Sequence, residues 1–176
     1  TIGSLLQKEG YFSRAYHNNI YNFYDRHKTH INLGYEQFIG MKTGMEAGVK
    51  DVWPQSDHEM FDFTVPQYID QQPFSVYYMT VSGHCPYLTT DNAMTRKNME
   101  TIKQMDSMSQ YSETIQGYFA SQLELEYAMA YLVQRLEEAG IADDTVIAMA
   151  TDHYPYGLEP SSTWNNTKDY LAELYG

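Results

Sequence analysis

At 176 residues the chain holds one ordinary domain with a real core and is too short for two comfortable ones. Its 23 Asp and Glu against 11 Lys and Arg leave a formal charge of −12, which argues against a nucleic-acid backbone or an anionic membrane surface as bulk partner, since both demand surplus cations. The single cysteine, Cys85, excludes an intrachain disulfide framework, and an apolar content of 43% excludes disorder.

Residues 1–10 lack the cationic start and apolar centre of a signal peptide. They read as the last turns of an amphipathic helix (Ile2, Leu5, Leu6) that Gly10 terminates. Such an opening suggests a chain cut from something larger. A short strand is expected over 11–16, ending at His17-Asn18-Asn19. A helix over 21–33, closed by Gly34, precedes a second short strand over 35–39. Residues 41–55, with two glycines and Pro54, form the best loop candidate. Ser56-Asp57-His58-Glu59 has the S-x-x-E form that starts a helix, and Pro66 should kink or split it.

The clearest strand runs over 74–82 and is apolar on both faces, as a buried parallel strand is. Residues 83–95 read as loop, 96–109 as a polar, Met-rich helix, and 112–139 as the longest helix. Leu125, Ala128, Met129, Leu132 and Leu136 mark its buried stripe, and Gly140 caps it. A further buried strand is expected over 145–150 and a last helix over 166–175. The apolar runs at 74–81 and 146–150 are strand-length, well short of the roughly 20 residues of a membrane helix. Helices alternating with buried strands specify an α/β fold with a largely parallel sheet.

In such sheets ligands bind beyond the carboxyl ends of the strands, and three of the six histidines stand at these expected ends. His17 follows the first strand, His84 follows 74–82 after Gly83, and His153 follows 145–150 with Asp152 before it. A carboxylate oxygen beside an imidazole nitrogen suits Mn²⁺ or Zn²⁺; alternatively Asp152 caps a turn and His153 packs. Arg26 ends Phe23-Tyr24-Asp25-Arg26, where its planar fork matches phosphate and Tyr24 can pack on a small substrate, unless the arginine is merely a solvated surface residue. His27 and His30 supply only two ligands from one helix, His58 is expected at the surface, and Cys85 is expected to be a small buried filler. Asn165-Asn166-Thr167 matches a glycosylation acceptor, a frequent chance match.

These residues carry a resemblance. The ordered set runs through His17-x-Asn19, Phe23-Tyr24-Asp25-Arg26, Trp53…Ser56-Asp57 and Ser82-Gly83-His84-Cys85-Pro86-Tyr87. It ends in Gly140-Ile141…Asp144-Thr145-Val146-Ile147…Thr151-Asp152-His153-Tyr154. Over about residues 4–157 it resembles the extracellular catalytic domain of lipoteichoic acid synthases and related phosphoglycerol transferases, within the sulfatase and alkaline-phosphatase-like superfamily. The resemblance implies that residues 1–176 form an incomplete α/β domain of that type, with the nucleophilic threonine and a further acidic metal ligand upstream and the last strands downstream. It implies Asp152 and His153 as ligands of a divalent ion, Mn²⁺ with Mg²⁺ or Zn²⁺ as alternatives. It also implies His17, Asn19, Tyr24, Arg26 and His84 around a glycerol-phosphate group, His84 having a catalytic part. Tyr24 stands where the family often has Trp, and Asn18-Asn19 are not its commonest residues there.

The implied reaction moves glycerol phosphate from phosphatidylglycerol to a growing polymer through a phospho-threonine, on the outer face of a bacterial membrane. Membrane helices would lie outside this chain, and the fragment alone is expected to be inactive. The alternatives are a sulfatase or phosphodiesterase of the same superfamily and a non-catalytic teichoic-acid-binding module.

Overall fold

A computed structural model describes residues 1–158 and 167–175. The chain divides into two compact units, Thr1–Asp51 with Gln55–Val81 and Tyr127–Thr145, and Val52–Pro54 with Ser82–Glu126 and Val146–Gly176.

The first unit opens on α1 (Ile2–Lys8), which ends ahead of Gly10 at φ +82° as the sequence indicated. Strands β1 (Phe12–Ile20), β2 (Gln37–Met41) and β3 (Phe74–Met79) form an all-parallel sheet in the order β2-β1-β3. Each parallel connection needs a crossover. Helix α2 (Arg26–Asn32) provides the first, and α3 (Asp57–Thr64) lies in the second. Ser56 caps α3 by accepting the Glu59 N–H at 3.0 Å, and Pro66 sits in the single 3-10 turn that follows. Gly34, at φ +101°, closes the α2 end; a side chain there would run into the Ser4 backbone.

The first and third of the expected strands need correction. β1 does not stop at residue 16 but continues to Ile20, so His17 lies inside the strand, opposite Met79 of β3. The sheet neighbours on both sides hold it there: β3 pairs through His17, and β2 resumes pairing at Ile20 after a register break. β3 is also less buried than a two-sided central strand. It lies at the sheet edge, with Tyr77 37% exposed.

Part of the core is built of tyrosine. Tyr16, Tyr68, Phe61 and Met60 are buried together with Met41, Met45 and Val65, and Tyr78 stacks on Phe61 with ring centroids 4.0 Å apart. Buried phenols need hydrogen-bond partners. Tyr78 donates to the Tyr68 hydroxyl at 3.2 Å and meets Thr64 Oγ1 at 2.7 Å, while Tyr16 reaches Gln67 Oε1. Burial pushes all three phenols up, Tyr16 to about 12. Helix α5 (Glu113–Glu138) adds Ala128, Leu132 and Leu136 from its second half, an i, i+4, i+8 stripe.

The second unit contains α4 (Ala93–Lys103), the first half of α5 and α6 (Thr167–Tyr175). Tyr87, Ile115 and Leu158 form its core, against Tyr118, Phe119 and Leu171. The fully buried Glu124 carboxylate accepts from Lys97 Nζ at 2.6 Å and Asn98 Nδ2 at 2.9 Å, which ties α5 to α4. Glu173 of α6 accepts from the Ser112 N–H and hydroxyl at the start of α5.

The strand expected over 145–150 does not form. Val146 is 92% and Met149 63% exposed. A β-branched run becomes a strand only where a ladder partner takes up its backbone groups, and among the described residues none does. Residues 159–166, including most of the Asn165-Asn166-Thr167 triplet, lie outside the described residues. Among the described residues no helix is long and apolar enough to cross a membrane.

Candidate phosphate and metal sites

In the first unit, β1 and α2 bring His17 and Arg26 together. His17 is 1% exposed. Its Nδ1–H donates to the Met79 carbonyl at 2.9 Å, which leaves Nε2 to accept from Arg26 Nη1 at 3.0 Å. Burial, with the Arg26 charge acting in the same direction, pushes the imidazole down to about 4 against the opposing pull of the Met79 carbonyl. His17 is therefore neutral at physiological pH and serves as an acceptor that aims the guanidinium.

Aromatic rings hold that guanidinium as well. Its central carbon lies 5.2 Å from the Phe23 ring and 5.6 Å from the Tyr24 ring. Phe23 and Tyr24 themselves pack at 4.4 Å. Tyr24 and Asp25 are both left-handed, at φ 53° and 54°, so α2 begins at Arg26 rather than near 21 as the sequence suggested. Two consecutive non-glycine residues in this region cost about 1–2 kcal/mol each, and such strain concentrates at functional segments. Tyr24 is 79% exposed, a ring presented to solvent beside a fixed cation.

His30 holds Arg26 from behind. It is 6% exposed, its Nδ1–H donates to the Arg26 carbonyl at 2.8 Å, and its ring packs on Phe38 and Tyr77. The i,i+4 spacing of the two residues on α2 makes this contact a local one. Asn19 uses its Oδ1 locally, accepting the Ile20 N–H at 2.6 Å.

Asn18, fully buried, donates to the Gln55 carbonyl and, at 2.7 Å, to Asp57 Oδ1; the same carboxylate oxygen accepts the Val81 N–H at 2.9 Å. Asp57 thus joins the ends of β1 and β3 to the start of α3. Asp57→Ala should cost about 2 kcal/mol of stability, since it strips two buried donors of their acceptor. Urea denaturation checks this, and an unchanged midpoint would refute it.

In the second unit His84 lies at the surface. Its Nδ1–H donates to the Cys85 carbonyl at 2.8 Å, which leaves Nε2 as the outward nitrogen, and the Trp53 ring stands edge-on to it at 5.0 Å. Cys85 is only half-buried rather than fully buried as expected, and a β-carbon added at Gly157 would come within 2.9 Å of its Sγ.

Asp152 and His153 lie on exposed chain rather than at the end of a buried strand, with side chains 81% and 45% exposed. The His153 Nδ1–H donates to the Tyr154 carbonyl at 2.8 Å, and Nε2 faces Asp152 Oδ1 at 3.4 Å. A backbone carbonyl on the far nitrogen is the usual way to fix a metal-binding tautomer. The pair fits two positions around a divalent ion in donor type. Among the described residues no cluster of three such side chains occurs.

The chain is 26% identical over 157 residues to lipoteichoic acid synthase 1 of Bacillus subtilis (strain 168), a match covering 85% of this chain and 22% of that protein. It is 24% identical over 174 residues to the lipoteichoic acid synthase of Staphylococcus aureus (strain USA300), covering 95% and 24%. The chain thus spans less than a quarter of the length of these relatives. The crystal structure of the lipoteichoic acid synthase LtaP from Listeria monocytogenes superposes with a TM-score of 0.61 at 24% identity, covering 82% of this chain and 34% of that one, and so shares the fold. Since the sulfatase family model matches residues 1–173, nearly the whole length, the chain belongs to the sulfatase family.

Proposed function

We propose that this chain is part of the catalytic domain of a metal-dependent phosphoglycerol transferase of the lipoteichoic acid synthase type. It would move glycerol phosphate from phosphatidylglycerol to a cell-envelope polymer, on the outer face of a bacterial membrane, with a threonine outside these 176 residues as nucleophile. The observation that carries the reading is Arg26: a guanidinium pinned by a neutral imidazole and two aromatic rings is built to bind an anion.

Arg26 forks onto phosphoryl oxygens, and Tyr24 packs beside the glycerol. His17 keeps Arg26 in place without adding charge. His84 would offer Nε2 to a phosphoryl or hydroxyl oxygen, and Asn19 would contact the glycerol-phosphate group. Asp152 and His153 would hold the divalent ion, Mn²⁺ by preference. When bound, the ion offsets charge on the phosphoryl oxygens and activates a hydroxyl nucleophile.

The test is turnover of a fluorescent phosphatidylglycerol, with Mn²⁺, by the whole protein carrying this chain. The expected result is diacylglycerol release, with labelled glycerol phosphate appearing on an added acceptor; appearance in water alone would turn the reading to hydrolysis. Arg26→Lys keeps the charge but loses the planar fork, and should lower kcat/KM about 10- to 100-fold, or roughly 1–3 kcal/mol. Turnover equal to wild type would remove Arg26 from the site. Binding of the polymer without any turnover would favour a non-catalytic module.

A further inference from the structure

Four consecutive carbonyl oxygens around His84 each meet a donor. Gly83 O accepts from Gln122 Nε2 and from the Tyr87 hydroxyl, both at 3.3 Å. Cys85 O accepts from His84 itself. The remaining two, His84 O and Pro86 O, share one side chain: Asn92 Nδ2 donates to them at 3.0 and 2.8 Å. Asn92 is fully buried. Both hydrogens of its amide are thereby used, and its Oδ1 accepts the Thr95 N–H at 2.7 Å as the N-cap of α4.

The next residue anchors the other neighbour of His84. The Ala93 N–H donates to the Trp53 carbonyl at 2.8 Å, and the Trp53 ring stands against the His84 imidazole. One helix start therefore fixes the backbone that carries His84 and the residue its ring packs on. N-capping alone needs only an acceptor, which Ser, Thr, Asp and Asn all supply. The two bonds from Nδ2 need an amide, and they go to the loop rather than to the helix.

We propose that Asn92 is a positioning residue that sets the orientation of the His84 imidazole, a role separate from its capping of α4. The inference rests on the reading of His84 as a phosphate-contacting residue. Such a histidine works only if its nitrogen is held to within a fraction of an ångström.

Two substitutions separate the roles. Asn92→Asp keeps the shape and the cap acceptor but has no donor for the two carbonyls; Asn92→Ser also caps, with no carboxylate set against them. Hydrogen exchange of the whole protein carrying this chain should speed up about tenfold in the peptide spanning residues 83–88 in both variants, while residues 94–103 exchange as in wild type. Unchanged exchange at 83–88, or equal loosening of α4, would overturn the proposal.

Phosphatidylglycerol turnover provides the second arm. Either variant should lower kcat/KM about 10- to 100-fold in the wild-type background and by less than about twofold in a His84→Ala background. An equal loss in both backgrounds would mean that Asn92 acts on structure at large, and would also overturn it. Wild-type protein that does not turn over the lipid would sink the functional reading instead, with the exchange result still deciding the role of Asn92.

Discussion

Asp152→Asn or His153→Gln in the whole protein carrying this chain is expected to lower cation-dependent turnover of phosphatidylglycerol by a factor on the order of a thousand or more. On the proposed reading each substitution removes one ligand of a divalent ion that would offset charge at the reaction centre. Asp152 would supply the negative oxygen, and His153 an Nε2 whose lone pair is exposed because Nδ1–H is committed to Tyr154 O. The fold should not notice. Asp152 is 81% exposed and belongs to neither core, and surface substitutions of this kind change stability by only about 0.5 kcal/mol. Thermal unfolding should therefore match wild type within about 2 °C. Turnover measured across a Mn²⁺ titration, beside the metal content of the purified protein, checks the result. Wild-type rates in either variant would remove the pair from the chemistry, and a large fall in melting temperature would assign it a structural part instead.

The second large effect is a pH-dependent loss of stability centred on His17. Its folded value, about 4, lies below the ordinary 6.5. Between those values the unfolded chain binds a proton that the folded chain refuses, so stability rises with pH through this window. The contribution is fully present above about 6.5 and is lost progressively as pH falls towards 4, reaching on the order of 3 kcal/mol. Urea midpoints at a series of pH values from 7.5 to 4 should show it. His17→Gln should flatten the slope by up to one proton relative to wild type. Identical slopes would show that the imidazole is not held neutral. Because His17 aims Arg26, the same variant should also raise KM for the phosphate-bearing substrate more than it lowers kcat, a split that loss of a reacting group does not produce.

Much of the site was readable before folding was considered. Arg26 stands nine residues after His17, Asp152 adjoins His153, and His84 sits in Ser-Gly-His-Cys-Pro-Tyr, so spacing and residue chemistry pointed to each. What those spacings hid was how each side chain is held. His17 looked like one more phosphate-facing histidine beyond a strand end, but β1 extends through it. The Met79 carbonyl and burial then make it a neutral prop. Asn92 and Asp57 carry no motif-level signal for the contacts they make, because their partners lie elsewhere in the chain: the His84 loop and the Val81 backbone. The one large failure, the strand expected over 145–150, shows the same limit from the other side. Val146, Ile147 and Met149 have strand composition, and composition does not supply a ladder partner.

The sequence alone determined the α/β class, the start of α3 at Ser56, the break at Pro66, the buried stripe of α5 and the family, because each depends on local propensity, periodicity or ordered motifs. Tertiary structure alone decided where β1 ends, that His17 is uncharged, and which side chains clamp the His84 loop. Those properties depend on burial and on hydrogen bonds between residues far apart in the chain, and no single stretch encodes either. A formal charge of −12 describes the chain as a whole, while Arg26, held by His17 of β1 and the rings of Phe23 and Tyr24, is a single fixed guanidinium that on the proposed reading meets one phosphate.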